Sequence, residues 1–327
     1  MPDLRQCYSI FLARGALPAE ELEHVYEIAA DPEISAWLFS DISWREEREL
    51  TDEERVRLLR IIFVKVGGPE QVIDALGMLR HVEGTTRDQW PEELRQLGLD
   101  AIDRFVREES LSDLKSDRAA RALAACLRGD DGAGANRVFD AIADRAARRY
   151  GSTYDVERLL TTFAERTPTL FLDRVFSENP DAPRLRFRDG RRLGPLSHVP
   201  IEALTEWCRR DPNRWARVAP QISPFASAIG DDGAGQISEF ATAFLNAAPS
   251  AGEVVEAYLQ HLSPSGWSGS RADIMERRLV AIESLIDHHI PAVAETIARL
   301  APGIRSAIDR MRQAEQREDR ERDQRFE

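Results

Sequence analysis

Residues 263–327 constrain the fold of this chain more than any other stretch. Ser263-Pro-Ser-Gly-Trp-Ser-Gly-Ser270 is a turn-rich connector leading into two segments that each carry one apolar stripe. Met275, Leu279, Ile282 and Ile286 form the first stripe; after a break at His289–Pro291, Val293, Ile297 and Leu300 form the second. Residues three and four apart share one face of a helix, so both segments read as amphipathic helices. A helix with a single apolar stripe cannot bury it alone and must stack on neighbours. Beyond Ile308 and Met311 the chain is rich in Arg, Glu and Asp at i,i+4 spacing. With no stripe there, the spacing predicts a solvated terminal helix at which stacking stops.

The same pattern runs through the rest of the chain. Leu22, Val25, Tyr26 and Ala29 follow Pro18, which suits the start of a helix because it has no amide proton to lose. Thr51-Asp-Glu-Glu54 has the spacing of a capping box before the apolar run Leu58 to Val66. Further stripes lie at Val72, Leu76 and Leu79; Leu99, Ile102 and Val106; Val156, Leu159, Leu160 and Phe163; Ile201, Leu204 and Cys208; Ile237, Phe240 and Phe244; and Val254, Val255, Tyr258 and Leu262. The expected fold class is all-α, an irregular HEAT-like α-solenoid of antiparallel helix pairs. At 327 residues the chain exceeds the size of one ordinary core.

One segment breaks the helical period. Arg184-Leu-Arg-Phe-Arg-Asp-Gly-Arg-Arg-Leu193 alternates charged and apolar residues around Asp189-Gly190, a dipeptide suited to a tight turn with positive φ. A short hairpin or extended loop is expected at 180–193. It would separate an N-terminal helical half, 1–179, from a C-terminal one, 194–303, followed by a charged terminal helix or tail, 304–327.

Charge narrows the partners. Against 44 basic residues stand 57 acidic ones, a net charge of -13, which repels a phosphate backbone and disfavours nucleic acid. Only Lys65 and Lys115 are lysines, a bias that a GC-rich genome accounts for. Cys7, Cys126 and Cys208 are too far apart for a disulfide framework and read as buried thiols. The N-terminus has no basic region followed by an apolar core, and no apolar run reaches the roughly 18 residues of a membrane span. A cytoplasmic protein without a membrane segment is expected.

Gly129-Asp-Asp-Gly-Ala-Gly134 recurs as Gly230-Asp-Asp-Gly-Ala-Gly235, but the flanks barely match. Proline turns at Asp31-Pro32, Asp211-Pro212 and Ile290-Pro291 recur without the fixed period of roughly 40–47 residues found in regular HEAT or armadillo arrays. Pro195-Leu-Ser-His-Val-Pro200, Glu206-Trp-Cys208, Pro220-Gln-Ile-Ser-Pro-Phe225, Ser265-Gly-Trp-Ser-Gly-Ser270 and the closing Arg-Asp-Gln-Arg-Phe-Glu327 together resemble the C-terminal HEAT-like helical region of large bacterial proteins. Some of those resemble multidomain NTPases of the STAND type thought to act in phage defence. The resemblance implies a helical recognition or scaffold region and transfers no active-site residue. The Gly-x-x-x-x-Gly-Lys-Ser/Thr loop of an NTPase does not occur in this sequence.

Catalytic and metal patterns are weak. Glu21 and His24 have Glu-x-x-His spacing, but a di-iron bundle needs a second copy, so a solvated face is the better reading. His288 and His289 suit a helix C-terminus, where a cationic imidazole complements the dipole. The two Gly-Asp-Asp loops lack the twelve-residue alternation and the closing glutamate of a calcium loop. Ser268 lacks the second glycine of a Gly-x-Ser-x-Gly nucleophile elbow, since Ser270 stands at that position. No cofactor motif is present. An effector enzyme of the hydrolase type would have to assemble its site in space, with His198 and Cys208 as the candidates.

Charge segregation is the best binding signal. From Arg184 to Arg217 nine arginines face Asp189, Glu202, Glu206 and Asp211, a balance of 9 - 4 = +5, whereas residues 1–60 hold seven arginines and fourteen acids. Arg184, Arg186, Arg188, Arg191 and Arg192 are therefore the candidate contact residues for a protein partner acidic at the contact, with nucleic acid or a nucleotide as the alternative. Trp267 is the sixth candidate. Among serines and glycines it reads first as a plug into the groove beneath its loop and second as an exposed anchor.

Overall fold

The computed structural model describes scattered positions between residues 60 and 76, and then residues 92–108, 113–128, 132–148, 155–177, 194–226, 235–264 and 267–326. These residues are predominantly helical, as the periodicity predicts. Eleven α-helices and four 3-10 turns account for most of them, and the one extended pairing among them is an isolated antiparallel bridge between Phe225 and Ile237. No described helix is long and apolar enough to cross a membrane. The segment 180–193, Glu21, His24 and the Thr51 capping box lie outside the described residues.

The chain divides into two compact units. The first contains α1 (Glu92–Glu108), α2 (Asp113–Cys126), α3 (Ala133–Arg148) and α4 (Glu157–Arg166). Leu99, Ile102 and Val106 of α1 and Leu159, Leu160 and Phe163 of α4 are fully buried, so these stripes face the core as their spacing requires. α1 packs on α2 and on α3, and α2 packs on α4. Gly98 lies where α1 meets α2: a Cβ there would stand 2.4 Å from the Cys126 sulfur and 2.9 Å from Leu76 Cδ1. A glycine costs about 1 kcal/mol of helix propensity at such a position, and the close approach of the two helices explains its presence.

Two cross-helix pairs define how α1 meets α3. Arg137 bonds Asp100 at 2.5 Å and Arg107 bonds Asp144 at 3.0 Å, each across 37 residues of sequence. The partners advance together, so the two helices run in the same direction. Exposed pairs of this kind contribute about 0–1 kcal/mol each; they mark register, while the apolar faces supply the stability. Phe139 meets Phe163 edge-on at 5.3 Å beneath them. Arg145 crosses the unit, donating to Asp155 at 2.8 Å and to the Val106 carbonyl at 3.0 Å.

α5 (Pro168–Val175) carries the division between the units, at Leu170 and Phe171. The second unit continues with α6 (Ile201–Arg209), α7 (Asn213–Val218), α8 (Glu239–Ala247), α9 (Ala251–Leu259), α10 (Arg271–Glu283) and α11 (Pro291–Phe326). Trp207 of α6 anchors its core. Its indole donates to Asp173 at 2.7 Å, and the Arg214 guanidinium lies 4.0 Å above its ring. Tyr258 of α9 is fully buried and donates to the Ala241 carbonyl at 2.9 Å. α9 and α11 also run in the same direction, with Gly252 against Thr296 and Glu256 paired to Arg299.

Two expectations about the terminal helices change. Ile286 is 49% exposed, because α10 ends at Glu283 and the 3-10 turn Ser284–Asp287 carries Ile286 off the buried face. The stripe of α11 does not end at Leu300. It continues through Ala301 to the fully buried Ile308, and the helix passes straight through Pro302-Gly303. Proline in a helix interior costs about 3 kcal/mol, so packing on both sides of it holds this helix together.

Candidate functional site

Arg184, Arg186, Arg188, Arg191 and Arg192 lie outside the described residues. Of the six candidate contact residues, Trp267 is the one whose surroundings are described, and it is not a plug. It is 47% exposed, while Pro264 of the same loop is buried. The physical reason is the first turn of α10. Arg271, four residues on, lays its guanidinium 4.9 Å from the Trp267 ring centroid and donates to Ser263 Oγ, holding the loop against the helix start. Gly269 turns the chain into that helix with φ 78°, a left-handed value that disfavours any side chain.

Ser270 then caps α10, accepting from the Asp273 amide at 3.1 Å. A second cap comes from far along the chain. The Glu315 carboxylate accepts from the Arg271 amide at 2.9 Å, from the Ala272 amide at 3.2 Å and from Ser270 Oγ at 2.7 Å. Negative charge at this end of a helix is favourable, and these amides have no partner within the helix. One turn earlier, Arg312 bonds Glu276 at 3.0 Å and Asp273 at 3.2 Å. Those bonds, Glu276 first, push the guanidinium pKa still higher. An exposed aromatic, its guanidinium roof and an ionic contact with α11 therefore meet at one helix end.

Arg271, Arg312 and Glu315 were not among the residues expected at a site. The sequence carries a signal for the near partner, since Ser270-x-x-Asp273 has the spacing of a cap. It carries almost none for Glu315, one glutamate in a run of charges.

The other expected pair is arranged differently. His198 is exposed at the end of the 3-10 turn Pro195–His198, whereas Cys208 is fully buried on α6. Burial pushes the Cys208 thiol up to about 12, with Arg214 opposing weakly. A thiol held protonated in this way is not a nucleophile at neutral pH. Among the described residues, no group of three His, Cys, Asp or Glu side chains is placed to hold a metal.

His288 and His289 stack at 4.4 Å, but His288 does not act as a cation. Its Nδ1 accepts from the Ile290 amide at 3.2 Å, which leaves the proton on Nε2 to donate to Asn246 Oδ1 at 2.8 Å. Burial, and then the neighbouring His289, lower its pKa. Comparison with protein-family models, with curated proteins and with solved structures returns no match for this chain.

Proposed function

We propose that this chain is a HEAT-like helical-repeat scaffold that binds another protein, acidic at the contact, through Trp267 and the arginines at 184–192. The observation that carries the reading is the sequence separation of partners on two helix pairs that run in the same direction, one pair in each unit. It is 37 residues for Asp100 with Arg137 and for Arg107 with Asp144, and 43 residues for Glu256 with Arg299. Each of these pairs skips one helix: α3 stacks on α1 in the first unit, and α11 on α9 in the second. That is how a repeat array buries a continuous core from units that cannot bury their own. The resemblance of residues 195–327 to the helical ends of large bacterial proteins, some of which resemble NTPases thought to act in phage defence, supplies the biological setting of the proposal.

Exposed aromatics and arginines are the residue types that dominate binding energies at protein contacts. The test is capture of protein by the full chain from lysate of the source organism, quantified by mass spectrometry. Wild type is compared with Trp267→Ser and with a variant in which Arg184, Arg186 and Arg188 are all glutamate. The reading expects a defined set of acidic proteins held by wild type and lost from both variants, with circular dichroism unchanged. An identical set from all three proteins would overturn it. Loss of the whole set on nuclease treatment would show nucleic acid to be the ligand instead.

A further inference from the structure

We propose that residues 305–315 of α11 form an ionic strap, hinged at Pro302-Gly303, which detaches from α10 as a unit and uncaps that helix when it does. Four observations converge on this stretch. The first is the hinge. Pro302 removes one helical hydrogen bond, and Gly303 adds backbone freedom without a packing reason, since a Cβ there would meet nothing within 4 Å. Gly98 and Gly252 differ in this respect, because a Cβ on either would stand within 3 Å of a neighbouring atom.

The second observation is what holds the strap. Beyond the hinge Ile308 is fully buried, while Ile304 and Met311 are half-buried. The remaining named contacts to α10 are charged: Arg305 with Glu283 at 2.6 Å, Arg312 with Glu276 and Asp273, and Glu315 with Ser270 and the first amides of α10. Before the hinge the balance is reversed, with Val293, Ile297 and Ala301 buried. Ionic contacts at a surface weaken steeply with salt and apolar burial does not, so the two parts of α11 respond differently to ionic strength.

The third observation is direction. Glu283 meets Arg305, Glu276 meets Arg312 and Ser270 meets Glu315, so the strap runs back along α10 to its first residue. Detachment therefore ends at the helix cap. The fourth is that losing Glu315 leaves the Arg271 and Ala272 amides without the acceptor they use here, so the first turn of α10 loosens together with the strap.

Amide hydrogen exchange on the full chain tests this at about 0.1 M and about 1 M sodium chloride, where the Debye length falls from about 10 Å to about 3 Å. Exchange at 305–315 and at 271–274 should accelerate together, by about fivefold or more, the factor that one lost cap implies. Exchange at 293–301 should hold. At low salt the pair Arg312→Ala with Glu315→Ala should reproduce the high-salt pattern, and Gly303→Ala should slow exchange in the strap. Equal acceleration on both sides of the hinge would overturn the proposal, as would acceleration of 305–315 that leaves 271–274 unchanged. The salt comparison needs no variant, so a misfolded mutant cannot obscure the result.

Discussion

Glu315 accepts a hydrogen bond from the backbone amide of Arg271 at 2.9 Å, across 44 residues of sequence. One carboxylate near the end of the chain thus shares with Ser270 the capping of α10, the helix against which the Trp267 loop is held. The local cap and the distant cap are coupled because both satisfy the same turn.

Glu315→Ala and Ser270→Ala should each lower unfolding free energy by about 1 kcal/mol. The double variant should lose less than the sum, since neighbouring caps are not independent. Urea titrations of the four proteins decide it, and strict additivity would mean that the two caps act separately.

Gly98→Ala should destabilise by about 1–3 kcal/mol, because the overlap with Cys126 and Leu76 outweighs the gain in helix propensity. Adding Cys126→Ala should recover part of the loss by removing the sulfur. Gly303→Ala, which meets open space, should stabilise by up to about 1 kcal/mol. Thermal melts showing the same sign for Gly98→Ala and Gly303→Ala would contradict this account.

Alkaline pH should weaken the fold. The Cys208 thiol ionises near 9.0 when free and is pushed to about 12 by burial, and burial also raises the Tyr258 phenol above its usual 10.0. A raised folded pKa gives stability that is complete below the unfolded pKa and lost as pH climbs toward the folded one. Urea midpoints should therefore fall as pH rises above about 9. Tyr258→Phe should reduce that fall, at the expense of about 1 kcal/mol for the bond to Ala241. A midpoint that stays flat to pH 11 would refute the burial argument.

Acid should act on His288 in the opposite sense. Its folded pKa is depressed below 6.5, so its contribution is present above that value and is lost as pH falls through the folded pKa. Protonation would also displace the Ile290 amide from Nδ1. Titrating the ring by NMR should give an apparent pKa below 6.5, and a value above it would show that the network with Asn246 does not hold in solution.

Much of the fold was legible because a period of three to four residues is a local property. Leu99, Ile102 and Val106, Leu159 and Phe163, and Val254 and Tyr258 are buried where the pattern placed them. The same rule overran at Ile286, where a 3-10 turn rotates the face, while the stripe through Val293 and Ile297 continues past Pro302-Gly303 to Ile308 in one helix. The sequence alone also marked Trp267 as unusual, but it could not say whether the ring faced in or out. That depended on Arg271 lying across it and on Pro264 taking the buried place. Sequence fixes which face of each helix is apolar, because neighbours along the chain set it. Tertiary structure alone decides which helix meets which, the 37- and 43-residue registers and the cap supplied by Glu315, because single charged side chains far apart in the chain acquire meaning only once packing has brought them together.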